Sequence, residues 1–387
     1  MLAIKLAFKN LIGAGLRTWL NVAVLSFAFV LIIFYNGMID GWNRQGIRDT
    51  KEWEIGQGQF WHPEYDQYDP YTIADSHQPL TKEVNDEINK GNLTPILITQ
   101  ATLYPDGRVQ NGYLKGIDPN QNILKLPTAD LVNLQNKYAA IIGKRMAETT
   151  KLEVGDQVLV RWRDKDGTFD AREIQIASIF KNDVPSTDNG QVYMSLEILQ
   201  EMMGLENEAT LLITSENYQG GEIVNWDFKD LDFLLIDLDK LIQSKKAGGV
   251  VLEGLLLIIA LLAIFDTQVL SIFRRQKEIG TYIALGLTRK QVVGIFTVEG
   301  GAHSILAALV GAVYGIPLFM WLDTIGITFG GPDMGITVAE TIYPYYSVRL
   351  IISTLILVVV SATIVSYIPA RRISKMKPTD ALKGKLQ

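Results

Sequence analysis

Leu255-Leu256-Leu257-Ile258-Ile259-Ala260-Leu261-Leu262-Ala263-Ile264-Phe265 is an uninterrupted apolar run, and it soon gives way to Arg274-Arg275-Gln276-Lys277. The apolar character extends from Val250 to Phe273, which satisfies the ~20 residues needed to cross ~30 Å of hydrocarbon. Three other segments have the same length and character: Trp19 to Tyr35, Val292 to Leu322, and Val348 to Ile368. Val292 to Leu322 is overlong and carries Pro317, so it is expected to tilt or kink.

Charge is segregated around these spans. Residues 1–37 hold three basic residues (Lys5, Lys9 and Arg17) and no acid. Residues 38–248 hold 21 Lys+Arg against 34 Asp+Glu, a net of −13, and residues 249–387 hold 12 against 8, a net of +4. A membrane chain with a water-facing insert has this profile. Lys/Arg bias in short flanks sets orientation. The N-terminal flank (net +3), the 274–291 link (net +4) and the 369–387 tail (net +5) all fall on one side of a four-span chain. The expectation is that both termini are cytoplasmic and the insert is outside. A cleaved signal peptide would also start with basic residues and an apolar run. No small-x-small site follows Phe34-Tyr35-Asn36, so the segment reads as a retained first span.

The insert, about residues 53 to 240, reads as one mixed α/β domain. Val158–Trp162, Ile174–Ile179 and Gly190–Met194 look like strands, and Asp106-Gly107 marks a hairpin between Leu97–Tyr104 and Val109–Ile117. Helices are expected over Thr81–Lys90, Ala139–Thr150 and Ser195–Met203. Flanking residues 36–52 and 238–249 lack Pro and suit helical stalks. The aromatic and acidic stretch Gln59 to Tyr71 reads as rings packed on the domain, with a docking loop as the rival. His62 and His77 lie near Asp66, Asp69 and Asp75 but without ligand spacing. The chain has no cysteine, which excludes disulfides, thiolate metal sites and thiol nucleophiles.

After the second span comes Arg274-Arg275-Gln276-Lys277-Glu278-Ile279-Gly280, then Thr281-Tyr282-Ile283-Ala284-Leu285-Gly286. Residues 277–291 mix charges with Ile279, Ile283, Leu285 and Leu287, as a short amphipathic helix at a membrane face would. By itself this reads better as a basic loop that anchors topology. The tail repeats a basic theme in Pro369-Ala370-Arg371-Arg372 and then carries Pro378-Thr379-Asp380-Ala381-Leu382. Together with Glu299-Gly300 in the third span and Leu6-Ala7-Phe8-Lys9-Asn10-Leu11 at the start, these stretches resemble the MacB/FtsX-like ABC transporter permease family. The likeness is to its LolC/LolE-like lipoprotein-release branch, which carries no fused ATPase.

That resemblance implies an α-helical membrane domain with four transmembrane helices plus a mixed α/β extracytoplasmic domain inserted between helices 1 and 2. It divides the chain into 1–37 (first span), 38–248 (stalk and MacB-like periplasmic core) and 249–387 (FtsX-like permease domain). It makes 277–291 a coupling helix that seats on an ATPase, with Arg274, Arg275, Lys277, Glu278, Ile279, Gly280, Ile283, Ala284, Leu285 and Gly286 as contact candidates. The chain contains no G-x-x-x-x-G-K-[ST] phosphate loop. ATP and Mg are therefore expected on a separate ABC ATPase dimer, with no cofactor on this chain and no enzymatic role for it.

Further implied partners are a second permease copy or paralogue, a periplasmic carrier or adaptor protein, and the bilayer of the bacterial inner membrane. Nucleic acid is disfavoured by the acidic insert. Lipoprotein release is the first expectation. Efflux of a peptide or hydrophobic drug, regulation of a cell-wall hydrolase, and a membrane-anchored sensor without transport are the rivals. Asp266 and Glu299 lie within spans, where ionisable groups mark function or helix pairing; pairing near the coupling segment is the expected role.

Overall fold

The computed structural model describes residues 15–132, 136–182, 184–328 and 341–375. The start motif Leu6 to Leu11 and the tail residues Pro378, Ala381 and Leu382 lie outside the described residues. The described chain forms two compact units, one of residues 43–240 and one of 15–42, 241–328 and 341–375. It begins in helix α1 (Gly15–Thr50), which widens into a π-helical turn at Lys51–Ile55.

In the α/β unit, β1 (Gln59–Trp61), β2 (Gln78–Pro79) and α2 (Lys82–Asn89) lead to the long hairpin β3 (Leu93–Tyr104) and β4 (Gln110–Ile117). Its turn holds Asp106 and Gly107 at positive φ, the geometry for which Asp-Gly is suited. Then follow β5 (Ala139–Gly143), α3 (Lys144–Thr150), β6 (Gln157–Arg163), β7 (Phe169–Phe180), α4 (Pro185–Asp188), β8 (Gln191–Ser195) and α5 (Leu196–Met203). β9 (Glu208–Ala209), β10 (Leu211–Thr214), β11 (Asp227–Lys229) and α6 (Leu231–Leu234) complete the unit.

Nine strands order as β11-β1-β10-β3-β4-β8-β5-β7-β6, and β6 pairs back onto β3 over Ala101–Tyr104. Six strands therefore close on themselves. Strand side chains alternate between faces, and β3 buries both. Leu97, Ala101 and Leu103 join the cluster of Leu114, Val160 and Trp162, while Ile96 and Ile98 join Trp61, Ile117 and Tyr193 on the other face. That double burial explains the near-continuous apolar run Leu93 to Leu97.

The expected helix over Ala139–Thr150 is corrected. Ala139–Gly143 is a fully buried strand paired with β7 and β8, and only Lys144–Thr150 is helical. Ala-Ala-Ile-Ile suits either element by apolarity alone. The close approach of Asp188 to Gly143, where a Cβ would lie 2.4 Å from its Oδ1, selects the strand end.

The membrane unit continues with α7 (Ile236–Arg274), α8 (Gln276–Ala284), α9 (Arg289–Ile325), the short pair β12 (Ile327–Thr328) and β13 (Thr341–Ile342), and α10 (Val348–Ala370). Among the described residues, four helices are long and apolar enough to cross a membrane: α1 with its π-helical turn, α7, α9 and α10. α1 precedes and α7 follows the α/β unit, so that unit is inserted between the first two of them.

Small residues set the packing. Gly300 and Gly301 lie against Ser366 and Thr363 of α10, and Gly311 and Gly315 against Phe29 and Val30 of α1, as expected where backbones approach closely in lipid. Gly294 meets nothing within 4 Å. Glu253 of α7 accepts a hydrogen bond from Asn36 of α1.

Candidate functional site

The segment 277–291 is not one helix. α8 ends at Ala284, the chain turns through Gly286 at φ +97°, and residues 289–291 already belong to α9. That φ lies in the region only glycine adopts freely. Thr288 then starts α9 with a reciprocal cap: its hydroxyl accepts from Gln291 N–H, and its own N–H donates to the Gln291 side chain, a capping box.

α8 has two unlike faces. Ile279 and Gly280 are buried, and Ile279 packs with Ile272, Val292, Phe296, Ala370 and Ile373, with Ile283 and Tyr282 alongside. Ala370 of the tail motif is thus part of the same core and Pro369 is buried, while Arg371 and Arg372 face outward. On the other face Lys277, Ala284 and Leu285 are exposed, Leu285 to 74%.

The two faces meet at Arg275. Its Nε and Nη2 donate to Glu278 at 2.6 and 2.8 Å, and its Nη1 donates to both carboxylate oxygens of Glu299 at 2.7 and 2.9 Å. The guanidinium also lies 4.7 Å from the centre of the Phe296 ring. Tyr282 donates its hydroxyl to Glu278 Oε1 at 2.7 Å. The hydrogen bonds it donates to Glu278, with the charge of Glu299, hold Arg275 well above the ordinary arginine value, against the pull of burial. Arg275 and Tyr282 in turn hold the Glu278 carboxyl below its usual range. Arginine's planar fork makes such two-sided bidentate pairing possible, and lysine's does not. Glu299, only 7% exposed, sits one helical turn before His303, whose Nδ1 hydrogen-bonds its carbonyl at 2.8 Å.

Arg275, Glu278 and Glu299 are therefore brought together, and Asp266 is not. Asp266 faces outward and shares no hydrogen bond or ion pair with the described residues. Arg274 is likewise exposed. Sequence reading missed Tyr282 and Phe296 as parts of the clamp. The Arg275–Glu278 spacing of three and the Glu278–Tyr282 spacing of four were the available signals. Nothing local announces Phe296 or the long-range partner Glu299.

Residues 250–378 match the model of the FtsX-like permease C-terminal family. An uncharacterized ABC transporter permease of Methanocaldococcus jannaschii is 25% identical over 64% of this chain, a stretch equal to 63% of its own length. The lipoprotein-releasing system transmembrane protein LolC of Xylella fastidiosa is 25% identical over 75% of this chain and 76% of its own. Among solved structures, the periplasmic region of MacB from Actinobacillus actinomycetemcomitans aligns with 48% of this chain and 94% of its own, at a TM-score of 0.33 and 10% identity. At that score the likeness adds nothing to the fold already described. The family match falls on α7 to α10 and so contains the whole Arg275 clamp: residues 250–378 are an FtsX-like permease C-terminal domain.

Proposed function

We propose that this chain is the permease subunit of a mechanotransmitting ABC transporter in a bacterial inner membrane, with both termini cytoplasmic and the α/β unit outside. The observation that carries the reading is α8: one face is locked onto α9 through Arg275 and packs on Ala370 of α10 through Ile279, and the other presents the apolar side chain of Leu285 to solvent. A short, rigidly held helix with an exposed apolar tip is suited to seat in a groove of a separate ABC ATPase, where ATP and Mg would act. Push on α8 would pass through Arg275 to Glu299 and so into α9. α1 and α7 supply continuous helices through which motion could reach the inserted unit.

Two permease copies or paralogues would stand over an ATPase dimer. Similarity to LolC over three quarters of the chain supports lipoprotein release as the cargo reaction, with a carrier protein outside as acceptor.

Leu285→Asp tests the seat. The substitution lies on an exposed tip, where stability should change by no more than about 0.5 kcal/mol. The variant should fold and insert normally yet lose at least tenfold in co-purified ABC ATPase. Normal recovery of the ATPase with the variant, or none with the wild type, would remove α8 from this role.

A further inference from the structure

β4 carries Tyr113, Lys115 and Ile117 on one face, because side chains alternate along a strand. Tyr113 and Ile117 belong to the apolar layer of Trp61, Ile98 and Ile213, so the same alternation points Lys115 into that layer. The register agrees: Lys115 stands between Ile98 of β3 and Tyr193 of β8. Its Nζ lies 5.8 Å from the centre of the Tyr193 ring. Among the described residues the ammonium has no hydrogen bond and no ion pair within 4 Å; the one carboxylate whose field reaches it appreciably is that of Glu54.

A lysine is seldom drawn into an apolar layer without a partner. Here the layer is hollow. A cavity of about 300 Å³ opens beside Lys115, lined by Trp53, Trp61, Ile98, Tyr193 and Ile213. Tyr193 is 3% exposed, and its hydroxyl makes no hydrogen bond to any described residue. Among the described residues Lys115 is the one cation on this wall and Tyr193 adds a neutral donor, set among aromatic and aliphatic side chains, with the carboxylates of Glu54 and Asp237 on the same lining. Ligand sites have this composition: mostly apolar walls, a few placed polar groups, and a volume that begins near ~300 Å³. Burial pulls the Lys115 ammonium below the ordinary lysine value, with Glu54 opposing in part, so an anion beside it would favour the charged form.

We propose that this chamber binds an alkyl chain with a single anionic head, the head paired with Lys115 and Tyr193 and the chain lying against Ile98, Ile213 and the tryptophans. The size favours one chain over a two-chain lipid. A fatty acid and a phosphate-headed single-chain lipid share this chemistry. The site lies wholly within residues 43–240, and the proposal does not rest on the coupling role of α8.

The test uses the full chain in nanodiscs of zwitterionic lipid and three photoreactive probes of equal alkyl length, with carboxylate, phosphate or trimethylammonium heads. Crosslinked peptides are mapped by mass spectrometry, which separates label in the chamber from label in the spans. At least one anionic probe should mark the strands around Ile98 and Ile213, and which of the two does so identifies the head group. Lys115→Met should reduce that label at least tenfold, and Lys115→Arg should restore most of it. Retained label on α1, α7, α9 and α10 in each variant reports an inserted chain. The proposal is overturned if label is confined to the spans, if the cationic probe marks the chamber equally, or if Lys115→Met leaves the label unchanged.

Discussion

Arg275 and Lys115 are both cations drawn partly out of water, one beside the start of α9 and the other on the apolar face of β4. Arg275 receives four hydrogen-bond acceptors from two carboxylates and a ring against its flat face. Lys115 receives the Tyr193 ring, over which its ammonium lies, the field of one carboxylate and a cavity. A buried charge whose bonds are all met from within the chain fixes geometry, and it has nothing left to offer a ligand. A buried charge left unmet is a cost to the fold, and such costs collect at binding sites. On the two proposals above, the first region holds geometry and the second recognises a ligand.

The largest effect should come from breaking the filled site. Glu299→Leu leaves the Arg275 guanidinium with Glu278 alone in a largely buried setting. Removing one partner of a buried pair costs about 3–5 kcal/mol, and the remaining carboxylate should keep the loss near ~3 kcal/mol, read by unfolding in mixed detergent–SDS micelles. The double variant Arg275→Met/Glu299→Leu should recover most of that loss, since an apolar replacement of a whole buried pair is often neutral. A Glu299→Leu chain as stable as wild type would mean that the pair is incidental, and the comparison would lose its first term.

The unmet site should respond with the opposite sign. Lys115→Met exchanges an unpaired ammonium for a flexible apolar side chain of similar length. It should stabilise the α/β unit by about 1 kcal/mol, or raise its Tm by about 2–4 °C for a unit of this size. The same variant should lose anionic-probe labelling, so stability and binding move in opposite directions. A destabilised Lys115→Met would show that the lysine serves the fold, which would place it beside Arg275 after all.

The sequence made the spans legible because twenty apolar residues have few other uses, and it made their insert legible through its net acid. It also made α8 legible as a face-bearing helix through Ile279 and Ile283, while its length was overestimated. Gly286 stands there only as a contact candidate, because a left-handed residue is a property of backbone angles that composition does not print. Glu299 was marked as a costly intramembrane acid, yet its partner Arg275 is set by the turn between α8 and α9. Lys115 was readable in principle, since Tyr113 and Ile117 flank it at the strand period. What sequence could not supply was the second face of β4: an alternating strand is equally consistent with a lysine pointing to water. Ala139–Gly143 failed for a related reason, because an apolar run of that length fits a strand or a helix until its neighbours are known.

The smallest effect concerns the rim of the filled site. Tyr282 donates to Glu278 at 2.7 Å from a half-exposed position, while Arg275 already gives that carboxylate two bonds. Tyr282→Phe should therefore cost only about 0.5–1 kcal/mol at neutral pH. Its pH dependence is the sharper reading. The Glu278 carboxyl is held below its usual range in the folded chain, chiefly by Arg275 and then by Tyr282. A depressed carboxyl contributes stability that is complete above the unfolded value, near ~4.3, and is lost as pH falls through the folded one. Removing Tyr282 brings the folded value closer to the unfolded one. The gap between wild type and Tyr282→Phe should therefore be full at pH 7 and should shrink as Glu278 protonates below pH ~4. If the gap is the same at both ends, the tyrosine acts through packing against Ile279 and not through the carboxylate. The clamp would then consist of Arg275 and its two acids alone.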